Sequence, residues 1–190
     1  MRKEILLLIS VIMFMGCYNG TKVDQQVKEN SDYQKQLLNE DWTFVNLSTS
    51  ELGEEYGVKP IYGIQDNYFD ISIGQGGSVA IKIMDASTDK CIRYVYVPEG
   101  ETLTVPEIPQ GLYYLKLAYG EDWMERHTDD LVAAKFTRGA FYERSTKAYD
   151  FGKKNSQTLV NYRLEINVVD GETENNFHTE TITEEDFNKN

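Results

Sequence analysis

Apolar and polar residues alternate along short segments between residues 68 and 119, and this alternation constrains the fold more than any other feature. Each segment ends at a turn rich in Gly, Pro, Asp or Ser. Their apolar positions are Phe69, Ile71 and Ile73; Val79, Ile81 and Ile83; Ile92, Tyr94 and Tyr96; Leu103 and Val105; and Leu112 to Tyr119. A period of two is that of a strand with one buried face. Short strands at this spacing indicate an antiparallel β-sandwich rather than a parallel α/β sheet.

The segment Leu159 to Val169 alternates most regularly of all. Its apolar face is formed by Val160, Tyr162, Leu164, Ile166 and Val168. Because the opposite face is polar, we predict a half-buried antiparallel strand. The preceding residues 133–151 carry five aromatic residues among charges and are interrupted by Gly139, so we interpret them as strand, turn and strand.

Three further segments complete the expected fold. We predict a long polar loop over residues 124–130 and a last strand over residues 177–182. Thr183-Glu184-Glu185-Asp186 has the form of a capping box and predicts a single helical turn. Together these patterns predict one all-β domain over residues 56–190, an antiparallel sandwich of seven or so strands with short helices.

One stretch of this domain resembles a known family. The run Ile108-Pro109-Gln110-Gly111-Leu112-Tyr113-Tyr114-Leu115-Lys116-Leu117 resembles the Pro-Gly turn signature of prealbumin-like modules, which include carboxypeptidase regulatory-like domains. The run from Ile83 to Lys90 is similar to the hairpin that precedes this turn in those modules. The resemblance spans Val79 to Trp123 and implies a prealbumin-like sandwich in which Tyr113 begins a core strand. It implies almost nothing about function.

The start of the chain has the order of a secretory signal. Arg2 and Lys3 are positive, residues 5–15 are apolar apart from Ser10, and Gly16 and Cys17 follow. This apolar run is well short of the roughly 20 residues that a membrane-spanning helix needs. We therefore expect residues 1–16 to be a signal peptide rather than a permanent anchor helix.

The run Phe14-Met15-Gly16-Cys17 resembles the lipobox of bacterial lipoproteins. In that family the cysteine thiol carries a diacylglyceryl group and the peptide is cut before it. The resemblance implies lipidation of Cys17 and an anchor in the bacterial cell envelope, in the outer membrane rather than the inner. Each buried acyl CH₂ group contributes about 0.8 kcal/mol, so two or three chains give stable anchoring. Residues 17–55 are polar, and we interpret them as a tether.

Charge and cysteine content narrow the choice of partners. The chain has 19 basic and 31 acidic residues and a net charge of −12. Such a charge argues against nucleic acid and against direct adhesion to anionic lipid. Once Cys17 is lipidated, Cys91 has no cysteine left to pair with. We interpret Cys91 as a small buried strand residue rather than a reactive thiol.

Candidate chemistry is concentrated in residues 121–130. Its polar members are Glu121, Asp122, Glu125, His127, Asp129 and Asp130. Oxygen-rich loops can bind Ca²⁺ and a His with carboxylates can bind zinc, but the spacing matches no EF-hand and no H-x-x-x-H motif. We therefore expect a solvated acidic loop without a metal or cofactor. Neither His127 nor His178 accompanies a nucleophile motif, and we predict that His178 lies on the surface.

Aromatic residues suggest a second type of site. Trp123, with Tyr119 and Asp122 beside it, could stack on a sugar ring if its face were exposed. The opposing interpretation is that a small Tyr-rich sandwich uses these rings as core. The exposure of Trp123 decides between the two.

These observations favour a non-catalytic, lipid-anchored envelope protein whose sandwich binds another protein as a structural or assembly component. A surface glycan-binding module using exposed aromatic residues is the alternative. A hydrolase built on the acidic loop at residues 121–130 is the least favoured hypothesis.

Overall fold

The computed structural model describes residues 20–153, 158–169 and 172–189, with side chains from residue 27 onwards. The described residues form mostly β-structure, and the predicted all-β antiparallel sandwich is confirmed. In chain order the elements are α1 Gly20–Leu38, β1 Thr43–Phe44, β2 Ser50–Glu51, the 3₁₀-helix η1 Glu54–Tyr56, β3 Tyr68–Ile73, β4 Ser78–Asp85, β5 Cys91–Val97, β6 Thr102–Val105, β7 Leu112–His127, β8 Val132–Ser145, β9 Tyr149–Asp150, β10 Asn161–Ile166, β11 Val168–Val169, β12 Glu172–Thr173, β13 Thr179–Thr181 and α2 Glu184–Asn188.

The strands form two sheets and a short ribbon. The large sheet has the order β13-β8-β7-β4-β5-β2, and β1 and β9 also pair with β7. The small sheet has the order β10-β3-β6, and β11 pairs with β12. The small sheet packs on one face of the large sheet, which defines the two layers of the sandwich.

The core between the sheets consists of alternate side chains from both layers. Its buried members include Phe69, Ile71 and Ile73 of β3, Val79, Ile81 and Ile83 of β4, Tyr113, Leu115, Leu117 and Tyr119 of β7, and Leu164 and Ile166 of β10. The apolar faces predicted for β3, β4 and β10 are therefore the buried ones. The face predicted for β5 was wrong, because Ile92, Val95 and Val97 face this core while Tyr94 and Tyr96 lie on the other side of the sheet. Burial of each such side chain contributes about 1.5–3 kcal/mol.

The second face of the large sheet is also covered. Residues 42–58 and α2 lie on it, and they contribute Leu52, Val58 and Phe187 to a second apolar cluster. β4 and β5 are buried on both faces, and most of their residues are apolar; the exceptions are Ser78, Lys82 and Asp85 in β4 and Arg93 in β5.

Part of the segment predicted to be a tether, residues 17–55, packs on the large sheet. From residue 20 the chain is helical, and Leu37 and Trp42 pack against Met124 of β7. Leu52 is buried as well. The packed part of the chain therefore begins before residue 56, because these scattered apolar residues cover strands that would otherwise be exposed.

Two further predictions about β-structure were wrong. Residues 124–127 belong to β7 rather than to a loop, and only the turn at residues 128–131 connects β7 to β8. The predicted strand at residues 159–169 is present as β10, but it pairs with β3 in parallel. After β3 the chain passes through the large sheet and returns to the small sheet as β6, antiparallel to β3. It then passes through the large sheet again and enters the small sheet as β10, in the direction of β3.

The local predictions at two turns are confirmed. The helical turn α2 has Thr183 as its N-cap, and the Thr183 side chain accepts a hydrogen bond from the Asp186 amide. In the hairpin between β4 and β5, Asp85 Oδ1 accepts from the amides of Ser87 and Thr88 at 2.8 and 3.0 Å. His178 is exposed, as predicted.

Candidate functional site

The predicted lipidation site, Cys17, lies outside the described residues, as does the signal peptide at residues 1–16. Both remain predictions from the sequence. Among the residues that the structure describes, no helix is long and apolar enough to span a bilayer.

Trp123 and Tyr119 are not exposed, and the prediction of a sugar-stacking surface at these residues is corrected. Trp123 is 3 % exposed, and its ring packs against Tyr96 and Phe136 at centroid distances of 5.2 and 4.8 Å. Tyr119 is fully buried and stacks on Phe141 at 4.5 Å. Both rings are core residues because β7 is covered on both faces.

Asp122, the third predicted site residue, belongs to a surface ion cluster. Arg138 donates to Asp122 Oδ2 at 2.7 Å, and it also lies 2.6 Å from Glu121. Gln34 of α1 donates to the same Asp122 oxygen at 3.0 Å. The hydrogen bond from Arg138 lowers the pKa of Asp122. A general acid requires the opposite shift, so this group is suited to holding α1 on the sheet rather than to proton transfer.

Glu125 is the buried member of the acidic group. Its Oε1 accepts from the Tyr56 hydroxyl at 2.7 Å and from Trp123 Nε1 at 2.9 Å. His127 Nε2 lies 3.2 Å from Oε2. Burial, together with the hydrogen bond to Glu125, raises the pKa of Tyr56. Glu125 thereby fastens η1 to β7 across a large sequence distance, and no local pattern could have revealed the contact.

The remaining carboxylates of the group do not converge. Asp129 and Asp130 are exposed at the turn between β7 and β8, whereas Glu125 is buried. In the described part of the chain, no group of three or more His, Cys, Asp or Glu side chains is placed to hold a metal ion. The six polar residues therefore do not form one site. They lie apart, on the surface, in the core and at the turn.

A buried basic pair lies beneath α2. Lys82 and Lys116 are directly opposite each other on β4 and β7, and they are 4 % and 8 % exposed. Lys116 Nζ donates to the carbonyl oxygens of Asp186 and Lys189, each at 2.7 Å. Desolvation by burial lowers the pKa of both lysines. Cys91 is buried nearby, and burial raises the pKa of its thiol to about 11, which agrees with a packing role.

The segment between η1 and β3 exposes apolar side chains that the sequence analysis missed. Ile61, Tyr62 and Ile64 are 47 %, 53 % and 94 % exposed. We call residues 60–64 the apolar loop. Its sequence, Pro-Ile-Tyr-Gly-Ile, contains a signal of this exposure. The apolar residues stand beside Pro and Gly and do not alternate with polar residues as they do in the strands.

The apolar loop is held in place at two points. The Ile61 amide donates to the Ile92 carbonyl at 2.9 Å, along the edge of β5. The guanidinium of Arg93 lies 4.5 Å from the centre of the Tyr62 ring, and Arg93 also donates to the Pro106 carbonyl at 2.9 Å. The loop backbone is therefore fixed while its Ile64 side chain points into solvent.

Comparisons with known proteins leave the family open. No family model matches the chain, no curated protein is significantly similar to it, and no solved structure matches its fold with significance. The likenesses to prealbumin-like modules and to bacterial lipoproteins therefore remain predictions from the sequence.

Proposed function

We propose that the protein is a non-catalytic, lipid-anchored component of the bacterial cell envelope, and that its sandwich binds a partner protein through the apolar loop. The observation that carries the proposal is the exposure of Ile61, Tyr62 and Ile64 in a loop whose backbone is fixed. Exposed apolar residues grouped in this way are typical of protein-binding surfaces.

The apolar loop lies against a second segment of the chain. A Cβ atom on Gly63 would lie 2.8 Å from the Cα of Pro109, so the apolar loop touches the segment that leads into β7. Aromatic side chains such as Tyr62 are enriched at the centres of protein interfaces.

The anchor supports the same proposal. Lipid on Cys17 would confine the sandwich to a membrane surface in the envelope. Its binding partner would then be another protein of the envelope. A net charge of −12 suits a domain held away from anionic lipid and favours a partner with complementary basic residues around an apolar centre.

The test is affinity purification of the full-length lipidated protein from detergent-solubilised membranes. Wild type should recover one partner protein in stoichiometric amount, and Ile64→Asp should lose it. Leu131→Asp is the matched control, because Leu131 is 49 % exposed at the turn between β7 and β8. Recovery of the partner with Ile64→Asp, or recovery of no stoichiometric protein with wild type, would contradict the proposal.

A further inference from the structure

The tip of the apolar loop projects from the domain rather than forming part of a flat patch. Ile64 is 94 % exposed, whereas Ile61 and Tyr62 beside it are about half exposed. A flat partner surface would cover only one side of such a projecting side chain. Burial of Ile64 on binding therefore requires a partner whose surface is concave at this point, and side chains that dominate binding typically fill pockets of this kind.

The main chain of the apolar loop is bonded to the rest of the domain at two positions. The Ile61 amide donates to the Ile92 carbonyl at 2.9 Å, and the Gly63 amide donates to the Glu107 carbonyl at 2.5 Å. Gly63 also packs so closely on Pro109 that a Cβ atom at Gly63 would lie 2.8 Å from the Pro109 Cα. A loop whose main chain is already fixed loses little conformational entropy when it binds a partner.

Arg93 fixes the side chain of Tyr62 in the same loop. Arg93 is buried, its guanidinium forms an ion pair of two hydrogen bonds with the Glu51 carboxylate, and it donates to the Pro106 carbonyl at 2.9 Å. These bonds fix the plane of the guanidinium, which lies 4.5 Å from the centre of the Tyr62 ring. A buried ion pair adds little net stability, but this one holds a planar cation in one position beside an exposed ring.

The surroundings of the apolar loop favour a folded protein as its partner over a lipid surface or an extended peptide. The exposed acids Asp66 and Glu107 lie beside the loop and are only partly balanced by the exposed Lys59, so anionic lipid headgroups are repelled there. Residues 60–64 belong to no strand and offer an extended peptide no sheet edge to pair with. A folded protein can supply an apolar pocket that exists before binding.

We propose that the apolar loop is a preformed projection that inserts Ile64 into an apolar pocket of a folded partner protein, and that Arg93 positions Tyr62 against the rim of this pocket. The inference rests on the proposed function and extends it in two respects. It states what kind of surface the partner presents, and it identifies a buried residue outside the loop that acts on binding through Tyr62.

A series of side-chain sizes at position 64 tests the pocket. The probe is the protein that full-length wild type recovers stoichiometrically from detergent-solubilised membranes and that Ile64→Asp loses, and its affinity is measured by titrating the immobilised chain. Ile64→Val should weaken binding about tenfold, because one methylene group is missing from a filled pocket. Ile64→Trp should weaken it at least as much, because a preformed pocket of isoleucine size does not admit an indole ring, while Leu131→Trp should leave it unchanged. Unchanged binding of Ile64→Val, or equal or tighter binding of Ile64→Trp as expected for a lipid surface or a disordered segment, would overturn the proposal.

A double-mutant cycle tests the positioning role of Arg93. Arg93→Lys keeps the charge beside Glu51 but loses the planar face beside Tyr62, and Tyr62→Ala removes the ring. Each should weaken binding about tenfold and the double variant no further, because both act through one contact, while Arg163→Lys, at an exposed arginine, should leave binding unchanged. Additive effects of the two changes, or wild-type binding by Arg93→Lys or by Tyr62→Ala, would overturn the positioning role. Recovery of the probe protein by Ile64→Asp, or of no stoichiometric protein by wild type, would instead contradict the proposed function and this inference with it.

Discussion

Lys82 is a basic residue in the middle of the large sheet, and its replacement should stabilise the protein. It is 4 % exposed, and its Nζ lies 5.2 and 5.0 Å from the ring centres of Tyr94 and Phe187. Desolvation by burial lowers the pKa of Lys82 from 10.5 to about 8; the nearby Cys91 thiol raises it, and Lys116 lowers it further.

The magnitude follows from the pKa. Each pKa unit corresponds to about 1.4 kcal/mol, so a charged Lys82 lowers the free energy of unfolding by about 3 kcal/mol at pH 7. The contacts of its ammonium group with two aromatic rings stabilise the folded chain by about 1 kcal/mol. We therefore expect Lys82→Met to raise the free energy of unfolding by about 2 kcal/mol at pH 7.

The stability difference between wild type and Lys82→Met should depend on pH. Because the pKa of Lys82 is lower in the folded chain, the unfolded chain binds more protons between about pH 8 and 10.5. Stability of the wild type therefore rises in this window relative to the variant. The advantage of Lys82→Met should be largest at pH 7 and should shrink by pH 9.5.

Urea unfolding followed by tryptophan fluorescence measures both quantities. Lys59→Met, at an exposed lysine, is the matched control and should change stability little at either pH. A Lys82→Met variant that is less stable than wild type at pH 7, or whose advantage does not shrink as the pH rises, would refute the reasoning.

Three further predictions concern the packing around β7 and α2. Phe187→Ala should lower the free energy of unfolding by about 3–4 kcal/mol, while the exposed Glu185→Ala in the same helix should change it little; equal effects in denaturant unfolding would contradict this. Glu125→Gln should cost roughly 1.5–3 kcal/mol because two donors, Tyr56 and Trp123, lose a charged acceptor, and Asp129→Asn should be neutral in the same assay. The Cys91 thiol, with its pKa raised to about 11, should react with a thiol reagent far faster in urea than in buffer; rapid labelling of the folded chain would count against its burial.

Much of the sandwich could be predicted because its strands carry local signals. The alternation of Phe69, Ile71 and Ile73 depends only on burial of one face, and β3 has that burial pattern. The hairpin after β4 and the cap at Thr183 also depend on residues close in sequence. Each of these features is decided within a few residues of the chain.

Features set by distant contacts could not be predicted. The polar end of β7 is held as a strand by contacts with residues far away in the sequence. Glu125 accepts a hydrogen bond from Tyr56 and pairs with Thr43 of β1, and neither contact is visible in the residues around Glu125. The parallel direction of β10 depends on the path of the chain through the other sheet. The apolar loop does leave a local signal, the apolar run beside Pro60 and Gly63, but the extent to which Ile64 is exposed is a property of the assembled fold.

Photo-crosslinking in intact cells tests the proposed protein-binding function most directly. A photoreactive amino acid at position 64, in the apolar loop, should give one defined crosslinked product with an envelope protein. The same group at position 131, at the turn between β7 and β8, should give none. Absence of a defined product at position 64, or equal products at both positions, would contradict binding through the apolar loop.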